Sequence, residues 1–234
     1  MKHLYLFALL WMSTILHAQT GDSIFTPKLM GEYFVEEARH QGEIFFNNDW
    51  AESTILLSSG EKIQGVQLKY QGYLDEVIWL NPANFNSFIV DRAYISEFWS
   101  VDKSNQPVHF KHLIVNDSTS SHAKDIFVQV AVEGASSLFI QRRVLNIPDT
   151  YYTDNNVTYA QKAYEPSPLY FIQLTSGQLL KLQRLGRHAF MNLFPEQKTN
   201  LTALIRRHGI DLRTEEGLMQ VVELMNAAIL AKKP

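Results

Sequence analysis

The sequence predicts an α+β fold: a β-rich antiparallel body of two hairpin-based halves, arranged as a sandwich or open barrel, carrying two to three C-terminal helices. Three observations lead there. From Thr54 onward apolar residues recur with period two in short runs separated by turn-forming Gly, Asn and Ser. After Gly186 the apolar period lengthens to that of an amphipathic helix. The order is strands first and helices last, which separates this chain from alternating α/β proteins.

The chain opens with an expected export signal. Met1-Lys2-His3 is a short positive start, Leu4–Leu16 carries no charge, and His17-Ala18 precedes polar Gln19-Thr20-Gly21-Asp22. That pattern places cleavage after Ala18. The apolar run is shorter than the roughly 20 residues a membrane-spanning helix needs, so no transmembrane span is expected after cleavage. No cysteine stands there to carry a thioether-linked lipid. The expected organisation is a signal at 1–18, a first β-rich half at 19–115, a second at 116–185, and a helical segment at 186–234 packed on the β body.

Within 27–38, the spacing of Met30, Phe34 and Ala38 suggests a short helix. Ile55-Leu56-Leu57, the turn Ser58–Glu61 and the strand Ile63–Tyr70 form a hairpin, with Val66, Leu68 and Tyr70 on its buried face. Leu74–Leu80 continues the sheet, Asn81–Asn84 turns, and Ser87–Trp99 is strand broken at Asp91-Arg92. Val108–Val115 follows the turn Val101–Pro107, and polar Asn116–Lys124 separates the halves. Ile126–Val132 and Leu138–Val144 form a second hairpin around Glu133–Ser136. Tyr151–Asn156 is polar and expected as a loop. Leu169–Leu174 and Leu179–Leu182 complete the strands.

The helical segment begins with a short helix over Gly186–Phe194. Leu201, Leu204, Ile205 and His208 then line one stripe of a second helix, stopped by Gly209. Thr214 caps a final helix whose apolar face is Leu218, Val221, Val222, Met225 and Ile229.

Composition narrows the function classes. The 234 residues are 46% hydrophobic and 19% charged, with no cysteine and a formal net charge of −3. A disordered chain is less apolar, a disulfide scaffold needs cysteine, and a nucleic-acid binder shows a basic footprint. A compact mature chain has a radius of gyration of about 17 Å, room for a core that holds itself by burial alone.

No catalytic constellation stands out. His109 and His112 in HFKH are three apart, so on a strand they face opposite sides and cannot share a metal. His40, His122, His188 and His208 are isolated in sequence. Neither a Gly-x-Ser-x-Gly elbow nor a phosphate-binding glycine loop occurs. The adjacent carboxylates Asp75-Glu76 face opposite ways and read as the mark of a hairpin bend or exposed edge; on that reading Asp75→Ala is mild. Neither a cofactor nor a metal is expected. The least ordinary feature is aromatic clustering in the first β half. It nominates Trp50, Tyr70, Tyr73, Asp75 and Trp79 as partner-binding residues.

Phe46–Trp50, Ile55–Gly60 and the stretch Leu68-Lys69-Tyr70-Gln71-Gly72-Tyr73-Leu74-Asp75-Glu76-Val77-Ile78-Trp79-Leu80 together resemble a family of uncharacterised secreted proteins of Bacteroidetes-type bacteria. The likeness extends to Ile95–Phe98, to the turn at Glu133-Gly134 and to Leu193-Phe194-Pro195 before two helices. It covers roughly 45–230, and Gln71 departs from the Asn or Asp usual there. The resemblance implies a periplasmic or outer-envelope location and carries over no catalytic residue. The expected function is therefore a non-catalytic secreted cell-envelope protein that binds an envelope protein or surface polymer. Alternatives are a lipid or small-ligand carrier with an apolar cavity, and a hydrolase with an unrecognised site.

Overall fold

Residues 29–36, 39–116 and 123–230 are described by the computed structural model. The expected signal at 1–18, its cleavage after Ala18, and the middle of the polar stretch 116–124 lie outside the described residues. The strands are β1 (Gly31–Tyr33), β2 (His40–Gln41), β3 (Ala51–Leu57), β4 (Lys62–Gln71), β5 (Glu76–Leu80), β6 (Ser87–Val90) and β7 (Ile95–Val101). They continue as β8 (Pro107–Asn116), β9 (Ala123–Val132), β10 (Ser137–Gln141), β11 (Val144–Asp154), β12 (Val157–Pro166), β13 (Leu169–Gln173) and β14 (Leu179–Leu182). Three helices follow: α1 (Arg187–Leu193), α2 (Lys198–His208) and α3 (Glu215–Leu230).

Eleven strands form one antiparallel sheet in the order β1-β6-β5-β4-β3-β7-β8-β9-β10-β13-β14. The three-stranded sheet β11-β12-β2 is antiparallel except where β2 joins through Lys162↔His40 and Ala163↔Gln41. The expected hairpins around 58–61 and 133–136 are present, each with a register shift, but the second strand of the latter ends at Gln141 rather than Val144, which opens β11 of the small sheet. Strands from both sides of the polar stretch 116–124 share the large sheet, because β8 and β9 pair across it.

Alternation builds two cores side by side on one face of the large sheet, since Phe110 of one and Ile140 of the other both pair with Gln129. One gathers Ile55, Leu68, Tyr70, Val77, Phe98, Phe110 and Phe127. Its centre is the stacked pair Phe98–Phe110, with ring centroids 4.6 Å apart. The other lies under the helices, where Leu138, Ile140 and Ile172 meet Phe190, Leu201, Val221 and Val222. β10 is buried along its whole length because both its faces are covered. A strand of that kind reads as a continuous apolar run rather than as an alternation.

Three expectations are corrected. No helix forms at Gly31–Tyr33, which instead pairs with β6 through Gly31↔Val90, Glu32↔Ile89 and Tyr33↔Phe88. Gly31 permits this, since a Cβ there would lie 1.7 Å from the Ile89 carbonyl oxygen. Tyr151–Asn156 is not a loop: it belongs to the long hairpin β11–β12, turned at Asn155 and Asn156 with φ of 49° and 64°. Both angles suit a type I′ turn, which asparagine tolerates. His208 is exposed rather than part of the apolar stripe, since it ends α2 just before Gly209 takes a left-handed φ of 63°.

The cap of α3 forms as expected, with the Gly217 N–H donating to Thr214 Oγ1 at 3.1 Å. A tie that no sequence pattern announces holds the same helix to the sheet. Asn226 Nδ2 donates to the Ser136 carbonyl at 2.8 Å, and its Oδ1 accepts from the Ser136 N–H at 2.7 Å.

Candidate functional site

Between β4 and β5 the chain turns at 72–75, and Asp75 sits there with φ of 60°. Its side chain points into the sheet's bend and is only 8% exposed. Oδ1 accepts from the Tyr70 hydroxyl at 2.5 Å, and Oδ2 from Arg92 Nη1 at 3.2 Å. Both oxygens lie 3.3 Å from the Phe127 N–H. Arg92 also donates to the carbonyl oxygens of Asp75 and Asp125.

These contacts have a common logic. The pairing of β9 with β10 stops at Gln129, so residues before it have an edge that no strand covers. The Phe127 N–H and Asp125 carbonyl are two residues apart and face that edge together. Asp75 and Arg92 supply the acceptor and donor that a further strand would otherwise supply.

Desolvation dominates the electrostatics. Burial raises the Asp75 carboxyl to about 6, against the opposing pull of Tyr70, Arg92 and the Phe127 N–H. Burial, and then the Asp75 charge, raises the Tyr70 phenol well above its ordinary range. Glu76 is raised by burial as well, and its Oε2 has no hydrogen-bond partner among the described residues. It lines a cleft of about 570 Å³ with Arg92, Glu32 and Phe127. His112 is lowered by burial more than Asp125 raises it. This is a convergence of ionisable groups, but both oxygens of Asp75 are engaged by groups of the fold. Such an arrangement clamps backbone and occupies both oxygens of Asp75.

The nominated residues divide. Tyr70 and Asp75 are in contact within the clamp. Trp79 is a core ring beside Phe88, 5.9 Å between centroids. Trp50 is half-buried with Lys69 Nζ 5.0 Å from its ring centre. Tyr73 is exposed and meets the edge of Tyr164 at 4.8 Å. Asp75 does mark a bend, but a buried one; the exposed-edge reading is corrected. Its partners Arg92 and Phe127 were invisible to local reading, being far along the chain. His109 and His112 do face opposite sides. His109 Nε2 is 2.7 Å from Glu97 Oε2 and its ring stacks on Trp99, whereas His112 faces Phe127. Among the described residues no group of three or more His, Asp or Glu is placed to hold a metal.

Two surface features remain. The hairpin β11–β12 forms an arm: Tyr151 is 73% exposed, Val157 and Tyr159 are exposed, and Tyr152 stacks on Tyr159 at 5.3 Å. β11 is the outer strand of its sheet. At the arm's root Val144 and Pro166 line a cleft of about 350 Å³ with Phe45, Phe46, Lys103 and Arg142. Arg142 is fixed there by Gln129 at 2.7 Å and by Glu215, whose two oxygens lie 2.9 and 2.8 Å from Nη1.

Comparison with family models, with curated proteins and with solved structures finds no match.

Proposed function

We propose that this chain is a non-catalytic, exported cell-envelope protein that binds a partner through its β body, with the β11–β12 arm as the contact. One observation carries the reading: an arm whose outer strand is unpaired and whose tyrosines stand in solvent. Exposed backbone donors and acceptors along an edge favour a protein partner docked by strand addition over a polymer. Tyrosine adds contact area at small entropic cost, which suits an interface. Pro148 has no N–H and the register shifts between Ile147 and Thr150, so the edge offers two short segments rather than one long one.

The finer architecture fits this role. We read the bend of the large sheet as an open barrel, its gap bridged by Asp75 and Arg92 instead of by a strand. Its interior is occupied by the stacked Phe98 and Phe110 and their neighbours, which favours binding on the outside over carriage of a ligand within.

The test is co-sedimentation of the purified mature chain with isolated envelope fractions, before and after protease treatment of those fractions. Binding should vanish on protease treatment and fall about tenfold in Tyr151→Ser/Tyr159→Ser, as removal of interface aromatics usually does. Retention on protease-stripped polymer, or equal binding by the variant, would overturn the reading.

A further inference from the structure

Residues alternate across β10 and β13. Leu138, Ile140 and Ile172 point to the helices, so Phe139 and Phe171 point away from them. On that far face Phe139 and Phe171 join Ile126 and Val128 in a separate apolar cluster, with Val115, Leu169 and Leu179 at its margin. A cleft of about 470 Å³ opens there, floored by Val115, Ile126, Leu169, Phe171 and Leu179. The size lies within the usual range for a small-molecule site.

The rim is one-signed. Lys124, Arg143 and Lys181 line it, and no Asp or Glu does. In a chain of net charge −3 this is a local inversion. Among the described residues neither Lys124 nor Lys181 has a carboxylate within ion-pair distance. Arg143 is held by neutral groups, the Ser167 carbonyl at 3.1 Å and hydroxyl at 3.0 Å. Its guanidinium is thus oriented but its charge is not neutralised. Asp125, next to Lys124 on β9, directs its side chain to the opposite face by the alternation of the strand.

We infer that this cleft binds a single-chain anionic amphiphile, a long-chain fatty carboxylate. The carboxylate would sit among Lys124, Arg143 and Lys181, and the alkyl chain would cover the Ile126–Phe171–Leu179 floor. Apolar burial supplies affinity in proportion to chain length, and the cations select the sign of the head group. The site is distinct from the arm, so it stands or falls independently of the proposed partner contact.

Titration calorimetry of the full mature chain with sodium dodecanoate below its micelle concentration tests this, with dodecyltrimethylammonium and sodium acetate as controls. Dodecanoate should bind one to one. The cationic amphiphile and acetate should each bind at least about tenfold more weakly, since one lacks the charge match and the other the chain. Lys124→Glu/Lys181→Glu should weaken dodecanoate about tenfold or more while leaving the melting temperature unchanged. Equal binding of anionic and cationic amphiphiles, equal binding by the charge-reversed variant, or binding to anionic vesicles without binding to monomeric dodecanoate would each overturn it.

Discussion

At the residue scale Asp75 is the most informative position. A buried carboxylate that loses its partners, or partners that lose their carboxylate, are expensive because the remaining groups keep their desolvation cost. Asp75→Ala leaves the Tyr70 hydroxyl, the Phe127 N–H and one side of Arg92 without an acceptor. It should therefore destabilise the fold by about 3 kcal/mol, read as a shift in the urea midpoint; the mild effect expected from sequence rested on an exposed Asp75. The pH dependence has a defined sign. The carboxyl titrates at about 6 in the fold against an ordinary 3.8. Between those values the folded state holds more protons than the unfolded state, so stability falls as pH rises. This contribution is complete below pH 4 and lost above pH 6. At about 1.4 kcal/mol per unit it amounts to roughly 3 kcal/mol. Asp75→Asn removes it, so the stability of wild type relative to that variant should decline by about that much from pH 4 to pH 7. A pH-independent difference would show that Asp75 titrates normally.

At the element scale, α3 makes two separable predictions. Val222 is fully buried against the sheet, and Val222→Asp buries an unpaired carboxylate there. It should cost about 4 kcal/mol or more and unfold much of the sample at 37 °C, seen by circular dichroism. Leu204→Asp on α2 should be milder than an apolar-stripe reading implies, because Leu204 is half-exposed beside Ile229 at the rim of a groove. Asn226→Ala breaks both hydrogen bonds to Ser136 and exposes the turn of β9–β10; the expected loss is about 2 kcal/mol. These elements also show what the sequence could convey. Hairpins such as β3–β4 and helices such as α3 were legible because one face is buried and the other wet, which writes a period into the chain. The arm was not: Tyr151, Thr153, Val157 and Tyr159 lie on strands exposed on both faces, so burial imposed no alternation. Nor was the clamp, because the three groups that meet Asp75 come from β4, the turn before β7, and β9. Their meeting depends on how far the sheet bends, a property of the whole fold rather than of any local spacing.

At the scale of the whole molecule the question is what holds the small sheet to the large one in a chain without disulfides. The chain leaves β10 at Gln141 and enters β11 at Val144, crossing from one sheet to the other in two residues. Both are arginines tied to other parts: Arg142 to Gln129 and Glu215, Arg143 to Ser167. Glu215 in turn accepts from the Tyr170 hydroxyl at 2.8 Å, so the crossing point is bonded to β9, β13 and the first turn of α3 together. Against it lies the turn after β4. The Gly72 N–H donates to Ile44, its carbonyl accepts from the Val144 N–H, and a Cβ at Gly72 would stand 2.2 Å from the Arg142 carbonyl oxygen. Backbone meets backbone there, and no side chain can move aside to make room. Gly72→Ala should therefore separate the sheets at their junction and lower stability by about 3 kcal/mol. Gly60→Ala is the control. Gly60 has a left-handed φ of 85° but open space around it, so alanine there meets conformational strain alone and should cost about 1 kcal/mol. Urea melts of the two variants distinguish crowding from strain. If Gly72→Ala unfolds no more easily than Gly60→Ala, the two sheets are not held at this contact, and the arginine pair must carry the junction by itself.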